Sequence, residues 1–399
     1  MSQFATAEKA YMSLGFLEHK GFFSRQRDSV NTEKLVSNFE LEFHKVEDTV
    51  LNTDQEKYGL SHMAVEFEKL LGHLCGQLCQ YLTARQRIME LYPFLVNTKV
   101  IHLMGTQRNI NFVDLTIVIK EIIETYSKSF HHPLLSSLRT NFIFECDIIN
   151  HLLQAQILMS EWQYLPSLLE LHQAHSKLNT WGATAQIKEH KKSTFGSSSK
   201  HGPFPQLYFW LLKYKAQLVS KFSLYFYDVL SKQSTPTEMK SLLSRTSDDF
   251  VTKIINFQKK TDATHISIVF DIQGVESTYA GPGYHFPGKF SEPPRGLAGF
   301  PAIFSYPGDK PLSHWPNVVM MISGQQPELH SQEKLNCLFD KSAQSTYFLT
   351  TVDTRMTMVV IFETKKGEKD SYINHFMSDL ATQLKCTKLF SALKPGSKG

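Results

Sequence analysis

The stretch "THISIVFDI" at residues 264–272 marks the change of pattern that decides the fold. Before it, apolar residues recur at helical spacing in nearly every segment. From it onward, β-branched and aromatic residues form short runs bounded by turn residues. Helices followed by strands are typical of an α+β chain. We therefore predict a long up-and-down helical bundle over residues 1–234 and an α+β domain with an antiparallel sheet over residues 235–399.

The helical half is predicted from continuous apolar stripes. The longest stripe runs from Met63 to Leu95 with spacings of three, four or seven residues, which places its large side chains on one helix face. The last segment is aromatic on nearly every face, so we expect it at the centre of the bundle. The predicted helices cover residues 4–19, 31–51, 61–95, 112–126, 142–159, 164–189 and 205–231.

The C-terminal half begins with Thr235, Pro236 and Glu238, a capping box with proline at the first helical position. This pattern predicts one helix that ends near Lys260. Further along, "VDTRM" separates two β-rich runs and is short enough for an antiparallel hairpin. Strands are predicted at residues 264–272, 300–306, 317–323, 345–351 and 357–363, and helices at residues 331–340 and 368–386.

Composition and charge narrow the class of protein. The 42 Lys and Arg residues against 38 Asp and Glu leave a net charge of +4, which indicates no nucleic-acid-binding surface. Five cysteines without a Cys-x-x-Cys pair favour reduced thiols in the cytosol or nucleus. No window reaches the roughly 18 uninterrupted apolar residues of a membrane span, so we expect membrane association only through a partner. The lysine-containing stretch 188–205 indicates either contact with anionic lipid or a solvated linker.

The sequence "GYHFPGKF" at residues 283–290 nearly matches the phosphate-binding pattern G-x-x-x-x-G-K-[ST]. Phe290 stands where the pattern requires a hydroxyl group, and Pro287 removes one backbone amide from the loop. Pro293 and Pro294 exclude the helix whose N-terminus would face the phosphate. The match therefore does not predict nucleotide binding.

We interpret residues 273–299 as a long binding loop between two strands. Within it, Tyr284, His285 and Phe286 are candidate partner-binding residues, and Trp181 and Trp315 are candidate aromatic anchors elsewhere in the chain. Each tryptophan serves either an interface or the edge of a core. The alternative function is a hydrolase or nucleotide-dependent enzyme that uses the 273–299 loop.

Other candidate sites have simpler structural interpretations. His172 and His175 share a helix face at metal-ligand spacing, but no third ligand of matching spacing lies nearby in the sequence. Cys75 and Cys79 lie in the long stripe and are expected to fill core as small hydrophobic residues. The acidic residues of the bundle helices are candidates for ion pairs instead of a di-metal site, with Glu145, Asp147 and Glu161 facing His151 or Arg85.

Several long strings of the sequence resemble one known family. They are "FHHPLL", "SEWQYLPSLLELHQAHSKLNTWG", "FSLYFYDVLSKQSTPTEMKSL", "GYHFPG", "HWPNVVMMI", "QSTYFLTT", "VVIFETKK" and "SALKPGSKG". Together they are similar to the small helical subunit of the KICSTOR complex, over almost the whole chain from residue 5 onward. We expect the family to carry a further segment before "AEKAY".

The resemblance implies a non-enzymatic scaffold without cofactors, in the cytoplasm and peripheral on the lysosomal membrane. Its implied partners are the other KICSTOR subunits, namely kaptin, the FG-GAP repeat protein and the seizure-threshold protein, and indirectly the GATOR complex and the Rag GTPases. The implied role is to help recruit GATOR to lysosomes and so to suppress the TOR kinase complex when amino acids or glucose are scarce. "THISIVFDIQGVES" also looks like the opening of a roadblock or longin-type domain, a fold-level analogy.

Overall fold

The computed structural model describes residues 2–14, 17, 32–52, 62–96, 102–103, 106–107, 111–192, 204–244, 248–276, 279, 281, 292–332 and 335–393. The chain divides into two compact units. The first draws on residues 1–153, 173–212 and 390–399, and the second on residues 154–172 and 213–389. The predicted boundary after residue 234 stays a prediction beside this division.

The N-terminal helices follow the predicted stripes, except that the helix predicted at residues 4–19 ends at Met12, and Leu14 has a φ of 60°. They are α1 (Ser2–Met12), α2 (Thr32–Asn52), α3 (His62–Val96), α4 (Phe112–Tyr126), α5 (Ser136–Ser160), α6 (Tyr164–Lys192) and α7 (Gln206–Tyr225). Two short strands, β1 (His102–Leu103) and β2 (Thr106–Gln107), pair with each other in antiparallel fashion between α3 and α4. α4 begins where the Asn111 side chain accepts a hydrogen bond from the Asp114 amide and the Asp114 carboxylate accepts one from the Asn111 amide.

Two predicted helices are each divided in the structure. The aromatic helix at residues 205–231 ends as α7 at Tyr225, and Phe226 separates it from α8 (Tyr227–Gln233). The single helix predicted from Thr235 to Lys260 was wrong, because α9 (Pro236–Ser244) and α10 (Phe250–Lys260) are separate helices.

Each of these last two helices has its own cap. The capping box of α9 forms as predicted, with Thr235 and Glu238 bonded reciprocally. The α10 N-cap is Asp249, whose side chain accepts a hydrogen bond from the Thr252 amide. A second capping residue inside an apolar pattern is a start signal that the prediction did not use.

Five strands form the main sheet, in the order β4-β3-β7-β6-β5, and every neighbouring pair is antiparallel. The strands are β3 (His265–Phe270), β4 (Ala302–Tyr306), β5 (Asn336–Asp340), β6 (Ser345–Asp353) and β7 (Met356–Phe362). The β6–β7 hairpin is confirmed, and so is the α+β fold class. The likeness to roadblock or longin-type domains stays a prediction.

The strand predicted at residues 317–323 was wrong. This segment belongs to α11 (Trp315–Gln332), with Pro316 in its first turn. Burial shows why: Val318 and Ile322 are 0% and 3% exposed, whereas Met320 between them is 65% exposed. A strand would place these three side chains on the same face, so only the helical period fits.

The helix predicted at residues 331–340 was also wrong beyond the end of α11. Residues 336–340 form β5, in which Cys337 pairs with Phe348 and Leu338 pairs with Tyr347 of β6. Only three of these five residues are apolar, too few to show a period, so pairing with β6 decides the conformation of the segment. Asp340 closes the strand because its carboxylate accepts hydrogen bonds from the Ser342 amide and hydroxyl.

Apolar side chains cover both faces of the sheet. One face carries a core cluster shared with α11, namely Val269, Phe300, Trp315, Val318, Ile322, Tyr347, Leu349, Val359 and Ile361. Strand alternation turns Ile266, Ile268 and Phe270 to the opposite face, where they are fully buried. Two further helices follow the sheet, α12 (Ser371–Leu384) and α13 (Thr387–Ser391); α12 packs against β6, and α10 packs against β3 and β4.

Candidate interaction surfaces

The first unit is held together by a buried polar network centred on Arg85 of α3. Its guanidinium pairs with Glu145 of α5 at 2.5 Å and with Glu8 of α1 at 2.8 Å, and its Nε donates to the hydroxyl of Tyr81 at 2.7 Å. Tyr92 donates to the second oxygen of Glu145 at 2.7 Å, and the Tyr11 hydroxyl donates to the same oxygen. Three helices are therefore joined in a fixed register by charge-assisted hydrogen bonds.

The network is electrostatically coupled. Burial alone lowers the pKa of Arg85, but the carboxylates of Glu8 and Glu145 raise it well above its ordinary value, so the guanidinium stays charged. Burial raises the pKa of Tyr11 and Tyr92, and the negative charge of Glu145 raises both further. Both tyrosines therefore remain protonated donors. A bundle fixed in this way can present its outer surface without rearrangement.

α4 carries an exposed apolar surface on this fixed unit. Leu115, Ile119 and Ile122 are buried on one side of the helix. Val113 and Ile117 lie together on the other side and are 46% and 50% exposed, and Val118, nearer the buried side, is 40% exposed; we call these three residues the α4 surface. Apolar residues grouped on one exposed helix face are typical of interaction sites.

Acidic residues border the α4 surface. Asp114, Glu121 and Glu124 are exposed on the same helix, with Lys120 as the basic residue among them. The exposed apolar side chains of the helix are therefore interspersed with mostly negative charge. This combination favours a partner with lysine or arginine around its own apolar residues.

The second unit contains two shallow grooves among its described residues. One, of about 310 Å³, lies between α10 and α12 and has Phe257 stacked on Phe376 with 3.8 Å between ring centroids. Tyr372 stacks on Phe257, and Lys260 and Asp379 supply opposite charges at the walls. The other groove, of about 400 Å³, lies among α8, α9 and α10 and includes Met239 and Leu243. Both volumes lie within or near the range of small-ligand sites.

The predicted aromatic anchors Trp181 and Trp315 are buried within this chain. The Trp181 indole donates to Oδ1 of Asn141 at 3.1 Å and stacks on Phe144. The Trp315 indole donates to the carbonyl oxygen of Phe300 at 3.1 Å. Their role in partner binding stays a prediction. Tyr284, His285 and Phe286, like most of the loop around them, lie outside the described residues.

The acidic residues of the bundle have specific partners. The predicted pair of Glu145 with Arg85 forms. Asp147 instead pairs with Lys177 at 2.5 Å, and Glu161 accepts a hydrogen bond from Gln163. None of these three contacts resembles a di-metal site.

Cys75 and Cys79 are buried against α2, as expected for core residues. Cys79, however, also lies beside two polar side chains of that helix, His44 and Glu47, an arrangement that the sequence did not predict. His172 and His175 are both exposed on α6.

The sequence prediction did not identify the α4 surface, although the sequence contains a signal for it. In "FVDLTIVIKEIIETY", Val113, Ile117 and Val118 lie off the stripe formed by Leu115, Ile119 and Ile122. The helix is therefore apolar around more than half of its circumference. A second apolar face on a helix that is not central to its bundle is the signal that indicates an interface.

Comparison with known proteins identifies the family. A family profile described as "KICSTOR complex C12orf66 like" matches residues 1–398. The chain belongs to this family. Two relatives named "KICSTOR subunit 2" are each 40% identical to it: the Xenopus laevis protein over 404 residues and the Danio rerio protein over 406 residues. Each alignment covers 100% of this chain and 87% of the relative, so the KICSTOR resemblance of the sequence is confirmed.

Within the described part of the chain, no helix has both the length and the hydropathy that crossing a membrane requires.

Proposed function

We propose that this chain is a scaffold subunit of a KICSTOR complex and acts by binding other subunits, not by catalysis. The observation that carries the proposal is the match of the family profile to residues 1–398, together with relatives named as KICSTOR subunits. The expected partners are kaptin, the FG-GAP repeat protein and the seizure-threshold protein. Through them the chain would help recruit the GATOR complex to the lysosomal surface and so suppress the TOR kinase complex when nutrients are scarce.

The pairing of the buried charged side chains with one another supports a binding role. Arg85 and Glu145 pair with each other, and so do Lys221 and Asp353 in the second unit, at 2.5 Å in both cases. Charges arranged in this way stabilise one arrangement of helices or strands. A rigid scaffold needs such fixed surfaces because each side chain that must be ordered on binding weakens the complex.

The α4 surface is our choice for the site that contacts another KICSTOR subunit. The occupant that fits it is a segment of that subunit with apolar residues bordered by lysine or arginine. Two features support this choice: Ile117 is half exposed at the centre of the patch, and Asp114, Glu121 and Glu124 surround it with negative charge. Apolar anchors at the centre of an interface supply most of its binding free energy.

The test is co-purification of tagged chain from cells that contain the other subunits. We expect the wild-type chain to bring down the KICSTOR subunits, and Ile117→Asp to lower their yield by about tenfold or more, because a buried interface charge costs upward of about 1.4 kcal/mol. Leu312→Asp is the matched control: Leu312 is 74% exposed in the second unit and should tolerate the same change.

The experiment tests membership of the complex and the role of the α4 surface separately. Wild-type chain that brings down none of the other subunits would contradict membership of the complex. Wild-type chain that binds them, with Ile117→Asp binding equally well, would contradict the role of the α4 surface alone. Circular dichroism of both variants checks that the fold is retained.

A further inference from the structure

α2 and α3 pack side by side in the first unit, and three potential metal ligands meet where they touch. They are a ring nitrogen of His44, a carboxylate oxygen of Glu47 and Sγ of Cys79, all within 4.8 Å of one another. His44 and Glu47 lie one turn apart on α2, with 3.5 Å between Nδ1 and Oε2. Cys79 reaches them from α3. Among the residues that the structure describes, this is the one such group.

The spacing and the ligand types fit one class of metal ion. Ligands of a tetrahedral zinc ion, with bonds of about 2.0–2.3 Å, lie roughly 3.4–3.7 Å from one another. The His44–Glu47 pair already has this separation, and Sγ of Cys79 lies within 4.8 Å of both ligand atoms. A thiolate with an imidazole favours zinc over magnesium or calcium, which prefer ligand sets made entirely of oxygen.

Backbone packing also favours the position of the Glu47 carboxylate. Gly76 lies on α3 beneath it, and a Cβ atom at this position would overlap Oε1 of Glu47. The absence of a side chain at residue 76 therefore creates the space that the carboxylate occupies, one turn before Cys79. Sγ of Cys79 also donates to the backbone carbonyl oxygen of Glu40 at 3.6 Å; this contact positions the protonated thiol and is lost when the thiolate binds zinc.

We propose that His44, Glu47 and Cys79 bind a zinc ion that links α2 to α3. Three protein ligands leave the fourth position to water, which can enter because the His44 side chain is half exposed. The ion would fix the register of the two helices on the side of α3 that packs against α2. The zinc site does not depend on the proposed KICSTOR function. Either proposal can therefore be wrong without affecting the other.

The experiment uses the full purified chain after treatment with a chelator. Cobalt(II) is titrated first, because a thiolate ligand gives a charge-transfer band and a tetrahedral site gives visible absorption. Zinc is then added to displace it. We expect one equivalent of cobalt to bind with a thiolate band and to be displaced by one equivalent of zinc. The zinc-loaded chain should melt at a higher temperature than the zinc-free chain, because the ion binds only the folded site.

Variants identify the ligands. Cys79→Ser should abolish the thiolate band, and His44→Asn and Glu47→Gln should weaken zinc binding by about tenfold or more. Gly76→Ala should weaken it as well by displacing the Glu47 carboxylate, although it removes no ligand. Two controls lie outside the site. Gly324→Ala adds a methyl group in open space, and Cys337→Ser removes a different thiol; both should bind zinc as the wild type does.

Each outcome bears on the proposal. A wild-type chain that binds neither ion at one equivalent overturns it, as does a Cys79→Ser variant that keeps the thiolate band. Loss of that band in Cys75→Ala, with Cys79→Ser unaffected, overturns the assigned ligand set. His44→Asn changes a half-exposed side chain, so its zinc-free form should melt as the wild type does. It therefore remains informative even if Cys79→Ser is poorly folded.

Discussion

Arg85 and Glu145 form an ion pair in which both side chains are almost completely shielded from water, at 1% and 0% exposure. The pair joins α3 to α5 across the interior of the first unit, and Tyr92 and Tyr11 complete the hydrogen bonding of the carboxylate. Removing Arg85 would leave the Glu145 carboxylate desolvated without a counter-charge, whereas removing Glu145 would leave Arg85 paired with Glu8 alone. The arrangement of these helices therefore depends on both residues together.

We expect Arg85→Met to lower the free energy of unfolding by about 3–5 kcal/mol, because it leaves the Glu145 carboxylate buried with hydroxyl donors alone. Urea unfolding followed by circular dichroism measures this change. Arg87→Ala is the control: Arg87 pairs with Glu90 on the helix surface, where removal should cost no more than about 1 kcal/mol. Equal losses for the two variants would contradict the proposed importance of burial.

A second buried ion pair lies in the second unit. Nζ of Lys221 lies 2.5 Å from Oδ2 of Asp353, and the lysine side chain is 1% exposed. We expect Asp353→Asn to destabilise this unit by about 3–5 kcal/mol, and the double variant Lys221→Met with Asp353→Asn to recover part of the loss. Unfolding curves for the two single variants and the double variant give the coupling energy. A double variant that is less stable than either single variant would show that the charges do not compensate each other.

We expect the free energy of unfolding of the second unit to depend on pH because of His265. Burial lowers the pKa of His265, and the neighbouring His314 lowers it further, whereas Glu363 acts in the opposite direction. The unfolded chain therefore takes up this proton more readily than the folded chain. Folding with a neutral His265 is therefore most favourable above the unfolded pKa of about 6.5. This contribution to stability is lost as the pH falls through the folded pKa.

Urea midpoints between pH 7.5 and pH 5 test this prediction, over roughly the range in which a histidine titrates. We expect the midpoint of the wild type to fall with pH and that of His265→Asn to fall less. His172→Asn, a change at an exposed histidine, should keep the wild-type slope. Parallel curves for the wild type and His265→Asn would remove His265 as the cause.

Buried thiols should resist alkylation in the folded chain. Burial raises the pKa of Cys386 to about 12 and that of Cys337 to about 11. The reactive thiolate is therefore scarce near neutral pH, and its fraction rises about tenfold for each pH unit. We expect Cys337, which is partly exposed, to react with iodoacetamide before Cys386, with the order read by mass spectrometry of the labelled peptides. Urea should abolish the difference, and a folded chain that labels first at Cys386 would contradict the prediction.

Substitution of Trp315 tests whether this residue stabilises the core or binds a partner. Its indole packs with Val318 and Ile322 and donates to Phe300, so Trp315→Ala should cost about 3–5 kcal/mol of unfolding free energy. Leu312→Ala, at an exposed position three residues earlier, should change it by less than about 0.5 kcal/mol. A Trp315→Ala variant of wild-type stability that no longer binds KICSTOR subunits would instead favour the interface interpretation.

The sequence predicted the helices best where period and cap agree. The bounds of α4, Phe112 and Tyr126, match those predicted from apolar spacing alone, and in the structure the Asn111–Asp114 capping box marks the same start. The pairing of Arg85 with Glu145 was also a candidate from sequence, since both lie on predicted bundle helices. Local spacing was sufficient for α4, whereas the Arg85–Glu145 pair joins residues 60 apart and was one of several pairings that the sequence left open.

Short apolar runs were the main source of error. "NVVMMIS" has β-branched residues yet belongs to α11, and residues 336–340 have no strand alternation yet form β5. Their conformations are decided by packing against the sheet, which a window of a few residues does not contain. The meeting of His44 and Glu47 with Cys79 was unpredictable for a related reason. It depends on the register of α2 against α3, which is set by side chains along both helices.

The order of strands in the sheet has a consequence for synthesis on the ribosome. β3 lies between β4 and β7, and His265 of β3 pairs with Ile361 of β7, so about 100 residues must be translated before the central pair can close. Until then the nascent chain carries β3 with one long edge uncovered. Closing a loop of this length is slow, and an uncovered β-edge attracts other chains. Ribosomes that stall or terminate before Met356 should therefore release aggregation-prone fragments that require chaperones.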